Sequence, residues 1–307
     1  MHPAFSIIVF TTLSGLGYGL AAMLGLNLLD PAAIATKVGH VLALGLIAAG
    51  LLSSTLHLGN PQRAWRALSQ WRSSWLSREG VLALLTFAPL LVSAWASVID
   101  NRYLAVTGLL GAAGAIATVY CTSMIYASLK SVDAWHTPLT TACYLVFSLA
   151  GGLLVVLLLA VLSSDYNAPY LGLAALAATV AAWALKIIWR NRLKSKSPTS
   201  TPETATGLGF IGKVRLFEAP HMTENYLTRE MGFKVARKHA DKLFAFALIA
   251  GGLVPSILSL IVARLGPGSA SSVIALVAIA AYLVGVLVER WLFFAEARHA
   301  VMNYYRS

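Results

Sequence analysis

The sequence predicts an all-α integral membrane protein, a bundle of eight transmembrane helices with both termini in the cytoplasm. The chain has 307 residues, of which 58% are hydrophobic and only 11% are charged, whereas soluble domains carry roughly a quarter charged residues. Its mean hydropathy is +0.74. A water-soluble enzyme of this composition would have too few polar residues to cover its surface, so that class of protein is excluded.

Eight segments are long and apolar enough to span a bilayer, which takes about 20 predominantly apolar residues. The first, third, fourth, fifth and seventh of them contain no Lys, Arg, Asp or Glu. In lipid each backbone N–H and C=O must be paired within its own element, so these runs are predicted to be helices. The predicted spans are residues 5–29, 36–57, 80–99, 104–127, 138–162, 168–189, 243–263 and 270–289.

The positive charges lie almost entirely on one side of the predicted bundle. Eight spans put both termini on the same side as the loops 58–79, 128–137 and 190–242, and this side, counted with Lys186 at the end of the sixth span, carries 20 of the 23 Lys and Arg residues. Cytoplasmic loops hold the Lys and Arg excess in membrane proteins. These loops are therefore predicted to be cytoplasmic, in a bacterial inner membrane, and the basic excess does not indicate nucleic-acid binding.

The chain is predicted to have three parts. Residues 1–190 hold the first six helices and a loop, 57–79, that contains candidate site residues. Residues 191–242 form a cytoplasmic linker and partner-docking segment, and residues 243–307 hold the last two helices and a cytoplasmic tail. The stretch 208–242 also fits an amphipathic helix on the anionic inner leaflet, so docking and membrane binding both stay open for it.

Three polar residues at the cytoplasmic membrane edge are candidate functional groups. His57 ends the second span, Glu79 opens the third, and Arg63 lies in the loop between them. An imidazole and a carboxyl there can exchange protons near neutral pH and hydrogen-bond a carbonyl or hydroxyl, as a quinone redox site requires. The same residues also fit a helix cap and interfacial anchors, so the residues alone leave both interpretations open.

A second polar stretch on the same side contains Tyr126 and Trp135, which fit either the same pocket or an interfacial aromatic belt. Glu289 and Arg290 end the last predicted span, where charge pairing and snorkelling to the interface are expected. Haem is not expected, because axial ligation takes paired histidines at similar depth, whereas His40 and His57 lie at the two ends of one helix and so at opposite faces of the membrane. The two cysteines are too few for an iron–sulfur cluster, which takes about four thiolates, and no metal site is predicted.

Several stretches resemble the membrane anchor subunits of the dimethyl sulfoxide reductase family. They are MHPAFSIIVFTTLSGLGYG, LHLGNPQRAWRAL with WLSREG, YASLKSVDAWHTP, and RWLFFAEARH. The segment TENYLTREMGFKVARKHADKL and the tail RWLFFAEARHAVMNYY make the chain most similar to the branch that anchors cytoplasmic sulfite dehydrogenases.

This resemblance implies a subunit of a three-part oxidoreductase. An iron–sulfur subunit and a molybdopterin catalytic subunit would dock on its cytoplasmic face and would carry all the clusters and the molybdopterin. The anchor would bind a quinone, ubiquinone or menaquinone, and no haem. In the family, the His of the HLGxPxR block and the acidic residue beginning the next helix are tied to quinone binding.

The family's two quinone-site positions match His57 and Glu79, which are predicted to be the catalytic groups. Gly59 and Arg63 belong to the same block and are predicted to bind quinone with them. Tyr126 and Trp135 are added to the quinone-binding set from their position on the same side of the membrane. Arg63 is expected to orient the loop or to stabilise a negatively charged form of the quinone.

The predicted function is to pass electrons from cytoplasmic sulfite oxidation to membrane quinone. The loop with His57 lies on the predicted cytoplasmic side, whereas anchors of exported reductases turn it outward, and this favours the sulfite branch. One alternative is a quinol-oxidising anchor of a reductase acting on dimethyl sulfoxide or another sulfur compound. A transporter is the other, but the sequence shows no internal repeat and almost no ionisable residue at the bilayer midplane.

Overall fold

The structure, a computed structural model, describes residues 4–55, 60–195, 200–215, 217–218 and 235–303. Within these ranges it contains no strand, and eight of its helices are long and apolar enough to cross a membrane. This confirms the all-helical fold class and the eight predicted spans. The elements are α1 (Phe5–Gly25), α2 (Ile34–Thr55), a 3₁₀ helix (Pro61–Gln70), α3 (Trp75–Val98), α4 (Ala105–Ala127), α5 (Pro138–Leu162), α6 (Ala168–Ser195), α7 (Pro202–Thr206), α8 (Val235–Leu248), a π-helical turn (Ile249–Leu253), α9 (Val254–Leu265), α10 (Ser269–Ala295) and a last 3₁₀ helix (Ala300–Asn303).

The start of α3 differs from the prediction. The helix begins at Trp75 rather than at residue 80, because the Ser74 hydroxyl accepts a hydrogen bond from the backbone N–H of Ser77 and caps the first turn. Glu79 was predicted to open this helix and instead lies in its second turn. Its side chain is buried in the bundle, at 4% exposure.

The seventh span runs through α8, the π-helical turn and α9. The turn contains the Gly251–Gly252 pair, and Gly251 lies against Gly285 of α10 and the Trp183 ring of α6. A side chain on Gly251 would clash with both, since its Cβ would lie 2.8 Å from the Trp183 ring and 2.9 Å from the Gly285 backbone. The widened turn thus lies where three helices meet at close range.

Helix α1 lies at the centre of the first half of the bundle. It packs against α2, α4, α5 and α10, and most of its side chains are buried. Its closest approach is to α5, where a Cβ on Gly152 would lie 2.3 Å from the backbone of Gly19. Small residues at such a crossing allow two helix backbones to touch, which is how membrane helices gain packing energy without a hydrophobic driving force.

Replacing Gly152 by Val is expected to destabilise the protein, because the new side chain must push α1 and α5 apart. Overpacking of this kind costs about 1–3 kcal/mol. The melting temperature of the detergent-purified protein measures the effect. Gly45→Ala is the matched control, because a Cβ on Gly45 of α2 would meet no atom within 4 Å; equal losses in both variants would contradict the proposed crossing.

Candidate functional site: buried carboxyls at one end of the bundle

The candidate site lies at the end of the bundle that carries most of the Lys and Arg residues, called the basic end below. It is formed by the start of α3, the end of α4, the loop before α5, and the last turns of α6 and α10. One contact that joins these elements is the hydrogen bond from Trp135 Nε1, in the loop before α5, to the carbonyl of Phe293 in α10, at 2.9 Å. The polar side chains described next share this end.

Glu79 is a buried carboxyl between α3 and α4. Its side chain is almost inaccessible, at 4% exposure. The Thr122 hydroxyl on α4 lies 2.5 Å from Glu79 Oε1 and 3.0 Å from the Thr118 carbonyl oxygen. Helix α4 therefore supplies a polar partner for the Glu79 carboxyl of α3.

The geometry around the Thr122 hydroxyl suits a carboxyl that gains and loses a proton. A hydroxyl has a single hydrogen to donate, yet Thr122 has two oxygen neighbours at bonding distance. With Glu79 ionised, Thr122 donates to the carboxylate. With Glu79 protonated, the carboxyl donates to Thr122, which then donates to the Thr118 carbonyl. Both states of Glu79 thus have a complete hydrogen-bond arrangement.

The described part of the chain places no cation beside Glu79 that would hold it in one charge state. Among the described residues, no Lys or Arg nitrogen lies within 4.0 Å of its carboxyl. Glu289 of α10 shows the opposite arrangement, since Lys186 Nζ lies 2.6 Å from its Oε1 and Arg290 lies 3.5 Å from its Oε2. A buried carboxyl in an ion pair is held ionised, whereas one with a hydroxyl partner exchanges a proton more readily.

The loop between α2 and α3 is fastened beside Glu79. Its 3₁₀ helix packs onto the start of α3, where Leu68 would lie 2.9 Å from a Cβ on Gly80. Arg78 Nε donates to the Trp71 carbonyl at 3.0 Å, and its guanidinium lies over the Trp75 ring at 4.2 Å. The loop and the buried carboxyl are therefore positioned by consecutive residues of α3.

Two of the predicted quinone-site residues, His57 and Gly59, lie outside the described residues. Arg63 is exposed on the 3₁₀ helix, and it forms no ion pair with Glu79 in the described part of the chain. Glu79 is the carboxyl of the predicted set, and the structure places it in a buried contact with the Thr122 hydroxyl.

Tyr126 and Trp135 lie together in a buried aromatic group. Their rings are 5.3 Å apart and edge to face, and both contact the Phe293 ring. The indole N–H of Trp135 is donated to a backbone carbonyl, so it is not free to bind a ligand. Tyr126 lies one helical turn beyond Thr122 on α4, which places the group next to the Glu79 contact.

Lys186, Glu289 and Arg290 form a buried ion-pair group; the pairing of Glu289 with Arg290 was predicted, but the contact with Lys186 and the burial of the group were not. Glu289 and Arg290 were expected to end the last span and to reach the interface, but α10 continues to Ala295 and all three side chains are at most 4% exposed. Lys186 lies over the Trp189 ring at 3.7 Å. The sequence signal was a lysine within an apolar run, matched in charge by a glutamate in another span.

A second ion-pair group lies at the basic end, nearer the protein surface. Arg190, one turn beyond Lys186, contacts Glu296 at 2.8 Å and Asp241 at 3.0 Å. Asp241 is 76% exposed and also contacts Lys194. Along the last turns of α6 the exposed fraction of the charged side chains thus increases, from the buried Lys186 and Arg190 to the exposed Lys194.

The described side chains of the basic end supply hydrogen-bond donors and acceptors. Within the described residues, no three His, Cys, Asp or Glu side chains come together as a metal site. Cys121 and Cys143 are both buried and form no disulfide with one another. The groups described above can hold a proton or a polar organic ligand.

Comparison with known proteins identifies the family. The model of the family described as DMSO reductase anchor subunit (DmsC) matches residues 1–295. The chain is also 33% identical, over 330 aligned positions, to a protein from Allochromatium vinosum that is named as a sulfite dehydrogenase subunit, with 100% of this chain and 99% of the relative covered. No solved structure matches the chain. The chain therefore belongs to the family of DMSO reductase anchor subunits, which are multi-pass membrane subunits of an oxidoreductase complex.

Proposed function

We propose that this chain anchors a cytoplasmic, three-subunit sulfite dehydrogenase to the membrane and passes its electrons to quinone at the basic end of the bundle. The observation that carries the proposal is the buried Glu79 carboxyl, which has a hydroxyl partner that serves both of its protonation states. The family match supports the anchor role. The relative from Allochromatium vinosum is named as a sulfite dehydrogenase subunit, and this name supports sulfite as the substrate.

The reaction balances across two sites. Sulfite and water give sulfate, two protons and two electrons in the catalytic subunit, whose molybdopterin supplies the oxygen-transfer chemistry. Quinone takes up two electrons and two protons at the anchor. Glu79 gives a proton to one quinone oxygen, and Thr122 then turns its hydrogen to the carboxylate. His57 hydrogen-bonds a quinone oxygen and helps to deliver the second proton, and Arg63 orients the loop.

The cytoplasmic location of the partners rests on charge. Of the 23 Lys and Arg residues, 20 lie at the basic end or in its loops, which favours the cytoplasmic side for that end. The Glu79 contact and the loop after His57 share this end. An iron–sulfur partner docked there would meet the quinone site without spanning the membrane.

The first experiment is to purify the protein from detergent-solubilised native membranes and to assay the sample for molybdenum, iron and sulfite-dependent quinone reduction. Co-purified molybdenum and iron with sulfite activity are expected. The same metals without sulfite activity would keep the anchor role and move the substrate to another sulfur compound, including a reductase running from quinol. A chain that purifies without metal subunits would contradict the proposal.

Replacing His57 by Leu tests the quinone site independently of the catalytic subunit. Sulfite oxidation with a soluble dye is expected to stay unchanged, while quinone reduction falls by about 100-fold, as when a general acid–base group is removed. His40→Leu is the control, because His40 lies on α2 at the opposite end, beside Arg102 and Tyr103. Loss of both activities in the His57 variant would instead assign that residue to assembly.

A further inference from the structure

A small cavity lined by hydroxyls lies beside partners of the two buried carboxyl groups, Glu79 and Glu289. Seven of its lining residues carry hydroxyls, and it is bounded by α1, α4, α5 and α10. Thr122, the partner of Glu79, lines one part, and Arg290, the partner of Glu289, lines another. The cavity is therefore lined by one residue that contacts Glu79 and by one residue that contacts Glu289.

Two of the hydroxyls that line this cavity have no partner among the described residues. Thr12 is 5% exposed and Tyr144 is 3% exposed, and neither hydroxyl oxygen has a hydrogen-bond partner in the described part of the chain. Within the same residues the Nε of Arg290, whose guanidinium lies 4.0 Å from the centre of the Tyr144 ring, also has no partner. Buried polar groups in proteins are almost always hydrogen-bonded, to protein or to water.

The cavity has the size and the lining of a water site. Its volume is about 20 Å³, and a cavity that can hold a water molecule needs roughly 10–15 Å³ by the same measure, together with two to four polar partners. Thr12, Tyr144, Thr122 and Arg290 supply such partners. An apolar cavity of this size would stay empty, but this lining favours occupancy.

We propose that this cavity binds a water molecule that connects Glu79, through Thr122, with the Arg290–Glu289–Lys186 ion-pair group and returns a proton to Glu79 in each turnover. The second part rests on the proposed function. After Glu79 has given its proton to quinone, the water O–H bond breaks toward the Thr122 oxygen, and the Thr122 hydrogen passes to the carboxylate. The water regains its proton from solvent at the basic end, so no electrons move in this step.

Hydroxyl-removing variants in the whole complex test the relay. Thr12→Val with Tyr144→Phe is expected to lower kcat for quinone reduction by about tenfold, since proton relay is a form of general acid–base catalysis. The KM for quinone and the dye-linked sulfite activity should stay near wild type. Thr12→Ser, which keeps a hydroxyl, should behave as wild type. Thr179→Val is the control, because the Thr179 hydroxyl is also buried without a partner but lies outside the cavity.

A second readout detects the water directly. X-ray radiolysis of the wild-type complex produces hydroxyl radicals from bound water, and oxidation at Tyr144 is expected in the digested protein. No oxidation there would overturn the water site. Wild-type kcat in the double variant, with Glu79→Gln inactive, would overturn the relay and leave the proposed function standing. An active Glu79→Gln complex would instead overturn the quinone function, while the oxidation of Tyr144 still decides the water site.

Discussion

Replacing Glu79 by Gln is expected to reduce quinone-linked sulfite oxidation by about 100-fold, the usual scale for loss of a general acid–base group. The amide keeps the size of the carboxyl and a hydrogen bond with Thr122, but it cannot carry a proton to the quinone. Dye-linked sulfite oxidation, which bypasses the anchor, should stay at the wild-type rate. Steady-state rates with the two electron acceptors, measured on the same preparation, give the comparison.

The matched control for this variant is Glu296→Gln. Glu296 is also a carboxyl at the basic end, but it is held in an ion pair with Arg190, so it is not expected to exchange protons with quinone. Its variant should keep both activities. Equal quinone-linked rates in the Glu79 and Glu296 variants would remove Glu79 from the reaction.

Replacing Glu289 by Gln is expected to be the most destabilising single change in the bundle. It leaves Lys186 and Arg290 buried without a counter-charge, and loss of one partner from a buried pair costs about 3–5 kcal/mol. Lys186→Met should be milder, because Glu289 keeps Arg290 as a partner. Combining the two changes should recover part of the stability lost in Glu289→Gln alone. Melting temperatures of the three detergent-purified variants measure this order.

The surface ion pair nearby provides the control for the buried one. Asp241→Asn removes a partner of the exposed Lys194 and one of two partners of Arg190, which keeps its ion pair with Glu296, and ion pairs made by exposed carboxylates add little to stability. Its melting temperature should stay close to that of the wild type. A Glu289→Gln protein as stable as Asp241→Asn would show that the buried group is not needed for the fold.

The number and type of the helices could be predicted from the sequence, because long uncharged runs have a single stable form in lipid. The ends of the helices could not. The first turn of α3 depends on the Ser74 cap, and α10 extends to Ala295 because Glu289 and Arg290 find partners in the bundle. Charged residues predict the end of a span only when they reach the interface, and here they do not.

The candidate site was predictable only in part. A glutamate beside an apolar span singled out Glu79, but nothing local to the sequence pairs it with Thr122, which lies 43 positions later on another helix. Lys186 was counted at the end of the sixth span, and nothing near it in the sequence points to Glu289, its partner in the last span. Trp135 fitted an interfacial aromatic anchor in the sequence, yet in the structure its indole N–H donates a hydrogen bond to a backbone carbonyl of α10.

The clustering of Glu79 and of both ion-pair groups at the basic end has a bioenergetic consequence. Under the proposed function, sulfite oxidation releases two protons into the same compartment from which quinone reduction takes two. Turnover of the complex would then move no net charge across the bilayer. The free energy of sulfite oxidation would be stored as quinol alone, to be converted to a proton gradient by whichever enzyme reoxidises it.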